Sequence, residues 1–431
     1  MRNLISQPLF KMSEVKNIPR LRFRDFKDNW TSKMLKELVP KGLKNSIVDG
    51  PFGSNLKREH YRDEGVPIIT SGYVTKGYFY ADKYLYVTEE KFIKEKRSSV
   101  KGGDIVMAKI GARCGSSAIL PQQHVESILS GNALKITINN ELNSTNFIWQ
   151  YLYFLYTTSK LEPLKTVGAQ PAISMSNLKK FELYVPSLPE QQKIADFLTA
   201  VDKRVELLEN KKTLLETYKK GVMKKIFNQE IRFKDENGND FPDWEEKRLD
   251  EISKFRRGSF PQPYGLPEWY DDINGKPFVQ VFDVGENFKL KPQTKQKISS
   301  LAEPKSVFVP KESVVITIQG SIGRVAITQY DSYVDRTLLI FKELNGCLDK
   351  YFFVYQLYRL FEIEKRRAPG GTIKTITKEK LSSFTIQIPE KNEQLKISNF
   401  LFSIDKQLEL LDTHIDKSKT WKKGLLQKMF V

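Results

Sequence analysis

One helical sequence pattern occurs twice in this chain of 431 residues, with its copies 203 positions apart. Residues Val185–Phe227 align with Ile388–Phe430 without a gap, and about 18 of the 43 aligned positions are identical. A weaker repeat opens each half, because "LRFRDFKDNW" resembles "IRFKDENGNDFPDW". Between these shared ends the two halves differ almost completely. The chain is therefore predicted to use one unit of about 200 residues twice, with a constant frame around two different interiors.

The repeated segment is predicted to form one long amphipathic helix in each copy. Apolar residues recur every seven positions with partners four residues later, a spacing typical of helices that pack on other helices. The two stripes consist of Ile194, Leu198, Val201, Val205, Leu208, Leu215, Val222 and Ile226 in the first copy, and of Ile397, Leu401, Ile404, Leu408, Leu411, Ile415, Leu425 and Met429 in the second.

An intramolecular antiparallel coiled coil is the favoured arrangement of these two helices. About 38 helical residues span ~57 Å, which is longer than a small domain is wide. In the alternative, each stripe packs only on the core of its own domain. Lys212 and Lys219 interrupt the first stripe and Lys422 interrupts the second, so we expect the seam to be weakest in its later third.

The interiors show an α+β pattern. Short β-branched and aromatic runs such as "DIVMAKI" and "SVVITIQ" are separated by Gly, Pro, Asn and Asp, as expected for strands joined by turns. Each interior also contains one apolar helical run, "NFIWQYLYFLYTT" in the first and "KYFFVYQLYRLFEIEK" in the second. We predict that the aromatic residues of these two helices pack in the cores and do not stack on bases.

The charge balance indicates an anionic partner. The chain has 70 Lys and Arg against 52 Asp and Glu, a net charge of +18. A surplus of this size most often indicates nucleic acid binding, whereas a merely solvated basic surface is the alternative. Two cysteines are too few for a disulfide framework or a four-thiolate zinc site. Without a membrane-length apolar run or a secretion signal, we expect a cytoplasmic protein with no structural metal.

Four stretches of this sequence identify a family. "VPSLPEQQKIADFLTAVD" and its second copy "IPEKNEQLKISNFLFSID", together with "GPFGSNLK" and "GDIVMAKIG", resemble the specificity subunit of type I restriction–modification enzymes. The resemblance runs from about Pro19 to the end of the chain. Its most specific element is the helix start Pro-x-x-x-Glu-Gln-x-x-Ile, which is present twice. The second copy has "KNEQL" in place of "LPEQQ", and its domain has no match to "GPFGS".

The resemblance implies that each interior is a target-recognition domain reading one half of a split, asymmetric DNA sequence. The repeated helices would separate the two domains and bind two methyltransferase subunits. In the family, S-adenosylmethionine and ATP are bound by the methyltransferase and restriction subunits, so this chain is expected to bind no cofactor. The implied domains are a flexible lead at 1–18, recognition domains at 19–184 and 229–387, and spacer helices at 185–228 and 388–431.

The motifs agree with a chain that is not itself an enzyme. No Pro-Pro dipeptide occurs, so the Asn/Asp-Pro-Pro-aromatic motif of amino-methyltransferases is absent, and no phosphate-binding glycine loop is found. Pro242 and Asp243, followed by Glu245 and Lys247, resemble a nuclease signature, but their spacing is too tight for a metal site. A stand-alone DNA-binding or scaffold protein is the second hypothesis, and a self-sufficient methyltransferase or nuclease is the third.

Several loops are candidates for DNA contact. Base reading requires polar or cationic side chains on loops, with lysines and arginines nearby to neutralise phosphates. For each loop, a solvated surface segment is an equal alternative. The candidates are Ser54, Asn55, Lys57, Arg58, Tyr61, Tyr73, Lys76, Lys109, Arg113, Lys165 and Gln170 in the first interior, and Arg256, Arg257, Gln319, Ser321, Arg324, Arg366, Arg367, Thr372 and Lys374 in the second. The stretches "AKIGARCG" and "TIQGSIGRV" occupy parallel positions in the repeat.

Overall fold

A computed structural model of the chain describes residues 18–75, 77–166, 168, 170–346, 348–367 and 381–431. These residues form two compact units, one from 18–208 with 414–431 and the other from 209–413. Each unit therefore contains the start of one long helix and the end of the other. The helices are α1 (Glu89–Lys94), α2 (Thr145–Thr157), α3 (Met175–Lys180), α4 (Leu188–Phe227), α5 (Leu249–Ile252), α6 (Lys350–Arg367) and α7 (Lys391–Met429).

The first unit contains two four-stranded sheets and three strand pairs. Its strands are β1 (Thr31–Met34), β2 (Ile47–Asp49), β3 (Val66–Ile69), β4 (Val74–Thr75), β5 (Tyr78–Phe79), β6 (Tyr86–Val87), β7 (Ser99–Val100), β8 (Ile105–Ala108), β9 (Ser117–Ile119), β10 (Ser127–Leu129), β11 (Ala133–Ile136), β12 (Lys165–Thr166), β13 (Ala172–Ile173) and β14 (Glu182–Val185). One sheet has the order β2-β11-β8-β9 and is antiparallel throughout. The other has the order β6-β3-β10-β7, in which β3 and β10 are parallel.

The second unit repeats both four-stranded sheets of the first unit, with the same strand order. Its strands are β15 (Glu245–Arg248), β16 (Ser253–Arg257), β17 (Lys276–Val279), β18 (Gln296–Ile298), β19 (Val307–Val309), β20 (Val314–Thr317), β21 (Val325–Ile327), β22 (Ser332–Val334), β23 (Leu338–Leu344) and β24 (Thr385–Ile388). The order β16-β23-β20-β21 matches the first sheet, and β18-β17-β22-β19, with β17 and β22 parallel, matches the second. Two interiors of unlike sequence therefore share one fold.

The aromatic helices lie in the cores, as predicted. In the first unit, Phe147 and Tyr151 of α2 are buried against β8 and β11 and against both long helices. Phe352, Phe353 and Tyr355 of α6 occupy the same place in the second unit. Because β8 and β20 are buried along their whole length, they carry near-continuous apolar runs and not an alternating pattern.

The two long helices pack together as an antiparallel coiled coil, and their ends also belong to the domain cores. In the first unit, Ile194 and Leu198 of α4 share one core with Leu425 and Met429 of α7. In the second unit, residues at the end of α4 share a core with Ile397 of α7 and its neighbours. The two arrangements that the sequence left as alternatives are therefore both present. Of the predicted seam, only Leu208, Leu215 and Val222 are half-buried, and the others are buried.

A buried Glu-Gln pair joins the start of each long helix to the opening segment and to the core helix of its unit. The carboxylate of Glu190 is 1% exposed and accepts two hydrogen bonds from Arg22, at 2.6 and 2.7 Å, and one from Trp30 Nε1 at 3.4 Å. This hydrogen bonding raises the pKa of Arg22. The next residue, Gln191, accepts a hydrogen bond from the amide of Ser144, the residue that caps α2. The opening segment, the core helix and the long helix are thus joined at one point.

The second copy forms the same junction. Glu393 is fully buried and accepts hydrogen bonds from Arg232 at 3.2 and 2.8 Å and from Trp244 Nε1 at 3.1 Å. Gln394 accepts one from the amide of Asp349, at the start of α6. The repeated opening and helix sequences are therefore parts of one contact, which explains why both recur while the interiors between them differ.

The described residues contain neither a membrane-spanning helix nor a cluster of metal-ligating side chains. None of the helices that the structure describes combines the length and the apolar composition needed to cross a membrane. In the same residues, no group of three or more His, Cys, Asp or Glu side chains is placed to hold a metal ion.

Candidate nucleic-acid interface

Loops of the first unit meet at one end of its two sheets. We call this surface the first loop cluster, and it consists of residues 50–61, 70–75, 109–116, 130–132 and 170–173. Hydrogen bonds join these loops directly. The amide of Lys109 donates to Asn132 O at 2.8 Å, that of Ile173 donates to Lys109 O at 2.9 Å, and that of Ser71 donates to Asn132 Oδ1 at 3.1 Å. Three loops predicted from the sequence, together with residues 130–132, are therefore neighbours in space.

The two predicted cations of the β8–β9 loop have different surroundings. Lys109 is 12% exposed, with Nζ 2.5 Å from Asp49 Oδ2 and 4.1 Å from the ring centre of Phe52. Its charge is already paired within the protein. Arg113 is exposed and donates from Nη1 to Thr75 Oγ1 at 2.6 Å, with no carboxylate at ion-pair distance in the described part of the chain. Arg113 therefore offers its remaining donors to a ligand.

The other predicted residues of the first interior also divide into packed and exposed groups. Tyr73 packs its ring on Phe79 and Tyr84 and donates its hydroxyl to Lys83 O at 2.8 Å, and burial raises its pKa. Lys165 Nζ lies 2.5 Å from Glu162 Oε1, and Tyr61 packs on the small core that contains Ile68 and Phe92. The exposed candidates are Asn55, Lys57, Arg58 and Gln170. Lys76 and the side chain of Ser54 lie outside the described residues.

The second unit has an equivalent surface, the second loop cluster, at residues 258–264, 280–284, 319–324 and 335–337. The same backbone contacts hold it. The amide of Asp335 donates to Val279 O at 3.0 Å, and that of Ile318 donates to Thr337 O at 2.9 Å. Of the predicted candidates here, Ser321 and Arg324 are exposed and Gln319 is half-buried. Both domains therefore build their loop ends on one backbone plan.

The second domain has a structural counterpart of "GPFGS" that the sequence comparison missed. Gly50 donates its amide to Ala133 O, and a Cβ placed on it would lie 2.1 Å from Ser130 O. Gly258 donates to Leu338 O, and its Cβ would lie 2.1 Å from Val334 O. Only a glycine permits such a close backbone approach. "GSF" at Gly258 therefore takes the place of "GPFGS", although only the glycine is needed.

The predicted arginines of the β8–β9 and β20–β21 loops are not equivalent. The amide of Gly115 donates to Ala108 O and that of Gly323 donates to Thr317 O, so the two glycines correspond. Arg324 follows its glycine directly and immediately precedes β21, whereas Arg113 precedes Gly115 and lies nearer the loop tip. Arg324 Nη1 approaches Val284 O at 3.5 Å. The stretches are parallel, but their arginines present charge at different places.

The remaining predicted residues of the second interior lie on β16 or beyond the described segments. Arg256 and Arg257 are exposed on β16, and Arg256 Nε donates to Arg257 O at 3.3 Å. The side chains of Arg366 and Arg367, and all of Thr372 and Lys374, lie outside the described residues.

Sequence reasoning missed several polar residues of the clusters. Asn132 bridges two loops of the first cluster, and Tyr264, Gln280 and Arg336 lie together in the second. A usable signal was present at Arg336, because "YVDRTLLIF" places two charged residues between two apolar strand runs. The sequence pattern favours loops rich in glycine, whereas the link that carries Asn132 has one glycine and the link that carries Arg336 has none.

A sequence model of the type I restriction modification DNA specificity domain family matches residues 27–217 and again 242–417. The chain belongs to this family. It contains the domain twice, and each match includes one loop cluster and part of a long helix. The family model thus covers most of the chain, and the two matches agree with the internal repeat.

Named relatives and solved structures agree in sequence and in fold. The type I restriction enzyme MjaIX specificity subunit of Methanocaldococcus jannaschii is 25% identical over 383 residues, covering 84% of this chain and 82% of that protein. The crystal structure of the type I restriction–modification system S subunit from M. genitalium has a TM-score of 0.58 at 16% identity, covering 96% and 99% of the two chains. A chain from a structure of type I R-M complex assembly also has a TM-score of 0.58, at 18% identity, covering 93% and 97%. At these identities the structures show the shared fold.

Proposed function

We propose that this chain is the DNA sequence-specificity subunit of a type I restriction–modification complex in the cytoplasm. It performs no catalysis and binds no cofactor, because S-adenosylmethionine and ATP are bound by its partner subunits. Its two recognition domains read the two halves of a bipartite target. The observation that carries this proposal is the pair of specificity domains, each with a loop cluster built on the same backbone.

The two halves of the target differ in sequence. Equivalent backbone positions in the two clusters carry different side chains, such as Asn132 opposite Thr337. Base pairs are distinguished by their donor and acceptor patterns in the major groove, so unlike side chains on like scaffolds select unlike bases. The net charge of +18 adds attraction to phosphates without regard to sequence.

The long helices bind the partner subunits. Each unit exposes one leucine and one aromatic side chain from equivalent repeat positions, Leu207 with Trp421 in the first unit and Leu410 with Tyr218 in the second, all more than half exposed. Exposed apolar side chains at repeated positions favour a protein partner that binds twice. Two methyltransferase subunits fit this arrangement. Where the system includes restriction subunits, these belong to the same complex.

Methylome sequencing of cells with and without this gene tests the reading function. We expect one two-part motif, with unlike halves and an unread spacer, that disappears when the gene is deleted.

Arg113→Ala should alter the motif or the affinity through the first half-site, and Lys57→Ala should weaken binding at all sequences and reduce its salt dependence. A palindromic or continuous motif would contradict the proposal. If Arg113→Ala and Arg324→Ala both leave motif and affinity unchanged, the loops are wrongly assigned.

Partner binding is tested with Trp421→Ala and Tyr218→Ala, made separately and together. Each single change is expected to weaken the binding of one methyltransferase subunit by about 2 kcal/mol or more, since buried aromatic residues dominate such interfaces. Native mass spectrometry should show complexes that have lost one partner, and the double variant should lose both. Lys417→Ala, an exposed change on the same helix as Trp421, serves as the control. Full assembly by the double variant would place the docking surface elsewhere.

A further inference from the structure

The link between β22 and β23 presents an arginine from a rigid turn. Asp335 is buried, and its carboxylate accepts hydrogen bonds from the amide and hydroxyl of Thr337 at 3.0 and 2.5 Å. The amide of Leu338 donates back to Asp335 O at 3.0 Å. Arg336 lies between these fixed residues and is exposed. Its position on the second loop cluster is therefore determined by the strands on both sides.

A tyrosine ring supports the guanidinium of Arg336. The central carbon of that group lies 5.4 Å from the ring centre of Tyr264, within the range of a cation–π contact. The Tyr264 hydroxyl accepts a hydrogen bond from Gln280 Nε2 at 2.7 Å and donates to Asp335 Oδ2 at 3.4 Å. Burial raises the pKa of Tyr264 to about 12, so the hydroxyl is neutral at physiological pH. The ring is thus fixed at its hydroxyl end, below the arginine.

The arginine has donors left for a ligand. Within the described residues no carboxylate lies at ion-pair distance from Arg336, and the nearest one in sequence, Asp335, is already hydrogen-bonded to Thr337 and Tyr264. In the same unit, Arg232 and Arg248 each bind a carboxylate within the protein. Arg336 is supported by its cation–π contact with Tyr264, which uses none of the N–H donors of its guanidinium.

Gln280, which donates a hydrogen bond to Tyr264 beneath Arg336, has a buried side-chain oxygen without a hydrogen-bond partner among the described residues. Gln280 is 8% exposed, and its Oε1 atom accepts no hydrogen bond from any described residue. A buried acceptor without a donor destabilises the folded state, and such groups in native proteins call for a functional explanation. Orienting Tyr264 through the Nε2 atom of Gln280 provides one.

A planar guanidinium with a free edge matches guanine. Guanine presents two acceptors, O6 and N7, in the major groove, and arginine contacts both with two parallel hydrogen bonds. Lysine lacks this fork, so charge alone does not reproduce the contact. We infer that Arg336 reads a guanine in the half-site of the second recognition domain, with Tyr264 as its positioning residue. This inference rests on the proposed function and extends it to one base.

The test uses the full chain in complex with its methyltransferase partner and a set of DNA duplexes that vary each base of the second half-site. Arg336→Ala is expected to reduce the preference for guanine at one position by roughly 10- to 100-fold, with the first half-site read as before. Arg336→Lys should lose the same preference while keeping the salt dependence of binding, because it retains the charge. Arg248→Ala, which removes an exposed arginine from β15 outside the second loop cluster, is the matched control. It should change neither the guanine preference nor the salt dependence of binding.

The role of Tyr264 is tested by two substitutions. Tyr264→Ala should lose the guanine preference at the same position as Arg336→Ala, whereas Tyr264→Phe, which keeps the ring, should retain part of it. A role confined to folding would instead lower affinity for all sequences and alter the thermal stability of the complex. That result for Tyr264→Ala would overturn its assignment as a positioning residue.

The alternatives give different results. If Arg336→Ala weakens all sequences equally and reduces the salt dependence, Arg336 contacts a phosphate and the inference is wrong. Unchanged affinity and preference would place Arg336 outside the interface, and the proposed function would stand in both cases. A wild-type complex without any base preference would instead overturn the proposed function itself.

Discussion

Arg22→Ala is expected to destabilise the first unit by about 3–5 kcal/mol, and Arg232→Ala to destabilise the second by a similar amount. Each substitution leaves a carboxylate, Glu190 at 1% exposure or Glu393 at 0%, buried without its ionic partner. An uncompensated buried charge costs far more than a lost surface ion pair. In denaturant unfolding, the altered unit should unfold at a lower denaturant concentration. The difference between the fitted free energies of unfolding gives the destabilisation.

The chain contains a matched control for this experiment. Lys193 on the same long helix forms an ion pair with Asp25 of the opening segment, but both side chains are largely exposed. Lys193→Ala should therefore cost less than about 1 kcal/mol. Replacing Arg22 and Glu190 together with Met and Leu should recover much of the loss, because no charge is then left unpaired. A loss below about 1 kcal/mol for Arg22→Ala would show that the junction does not hold the unit together.

Asp405→Ala is expected to cost about 3–5 kcal/mol, whereas Asp202→Ala, at the equivalent position of the first repeat, should cost about 1 kcal/mol or less. Asp405 is 5% exposed and binds Lys219 of the other long helix and the hydroxyl of Tyr355. Asp202 is 36% exposed and binds Lys422. One chemical change at two matched positions thus measures the effect of burial on an ion pair.

The surroundings of Asp405 explain the expected size of that effect. Lys219 Nζ also lies 5.3 Å from the ring centre of Phe288 and 5.4 Å from that of Tyr355, so the unpaired ammonium would remain among aromatic rings. Burial raises the pKa of Tyr355, which therefore donates to Asp405 as a neutral hydroxyl. A double-mutant cycle with Lys219→Met gives the coupling energy, and the double variant should be more stable than Asp405→Ala alone. Equal losses at Asp405 and Asp202 would contradict this account.

The ion pairs of the long helices show how the lysines that interrupt the apolar stripes are accommodated. Lys212, Lys219 and Lys422 interrupt the apolar stripes, which suggested a weak seam. In the structure they bind Asp412, Asp405 and Asp202 of the opposite helix. The periodicity of a helical sequence shows which of its residues face a partner helix. Which residue of the partner lies opposite each of them depends on the direction and register of the two helices. Those were decided only by packing.

The sequence by itself determined the frame of this protein. The gapless repeat, the seven-residue stripe and the Glu-Gln helix start established two units, two long helices and the family, because these signals are local and occur twice. The charge surplus indicated a nucleic acid partner, and strand-like runs followed by glycine loops located several segments of both loop clusters.

Only the tertiary structure decided which side chains of those loops are available. Lys109 and Arg113 are four residues apart in one loop. Asp49 and Phe52, which follow a strand distant in sequence, contact the ammonium of Lys109, whereas Arg113 stays exposed. Arg336 gains its position from Tyr264, 72 positions earlier in the chain. Whether a polar side chain faces a ligand or a neighbour depends on contacts between segments far apart in sequence, and no local pattern encodes those contacts.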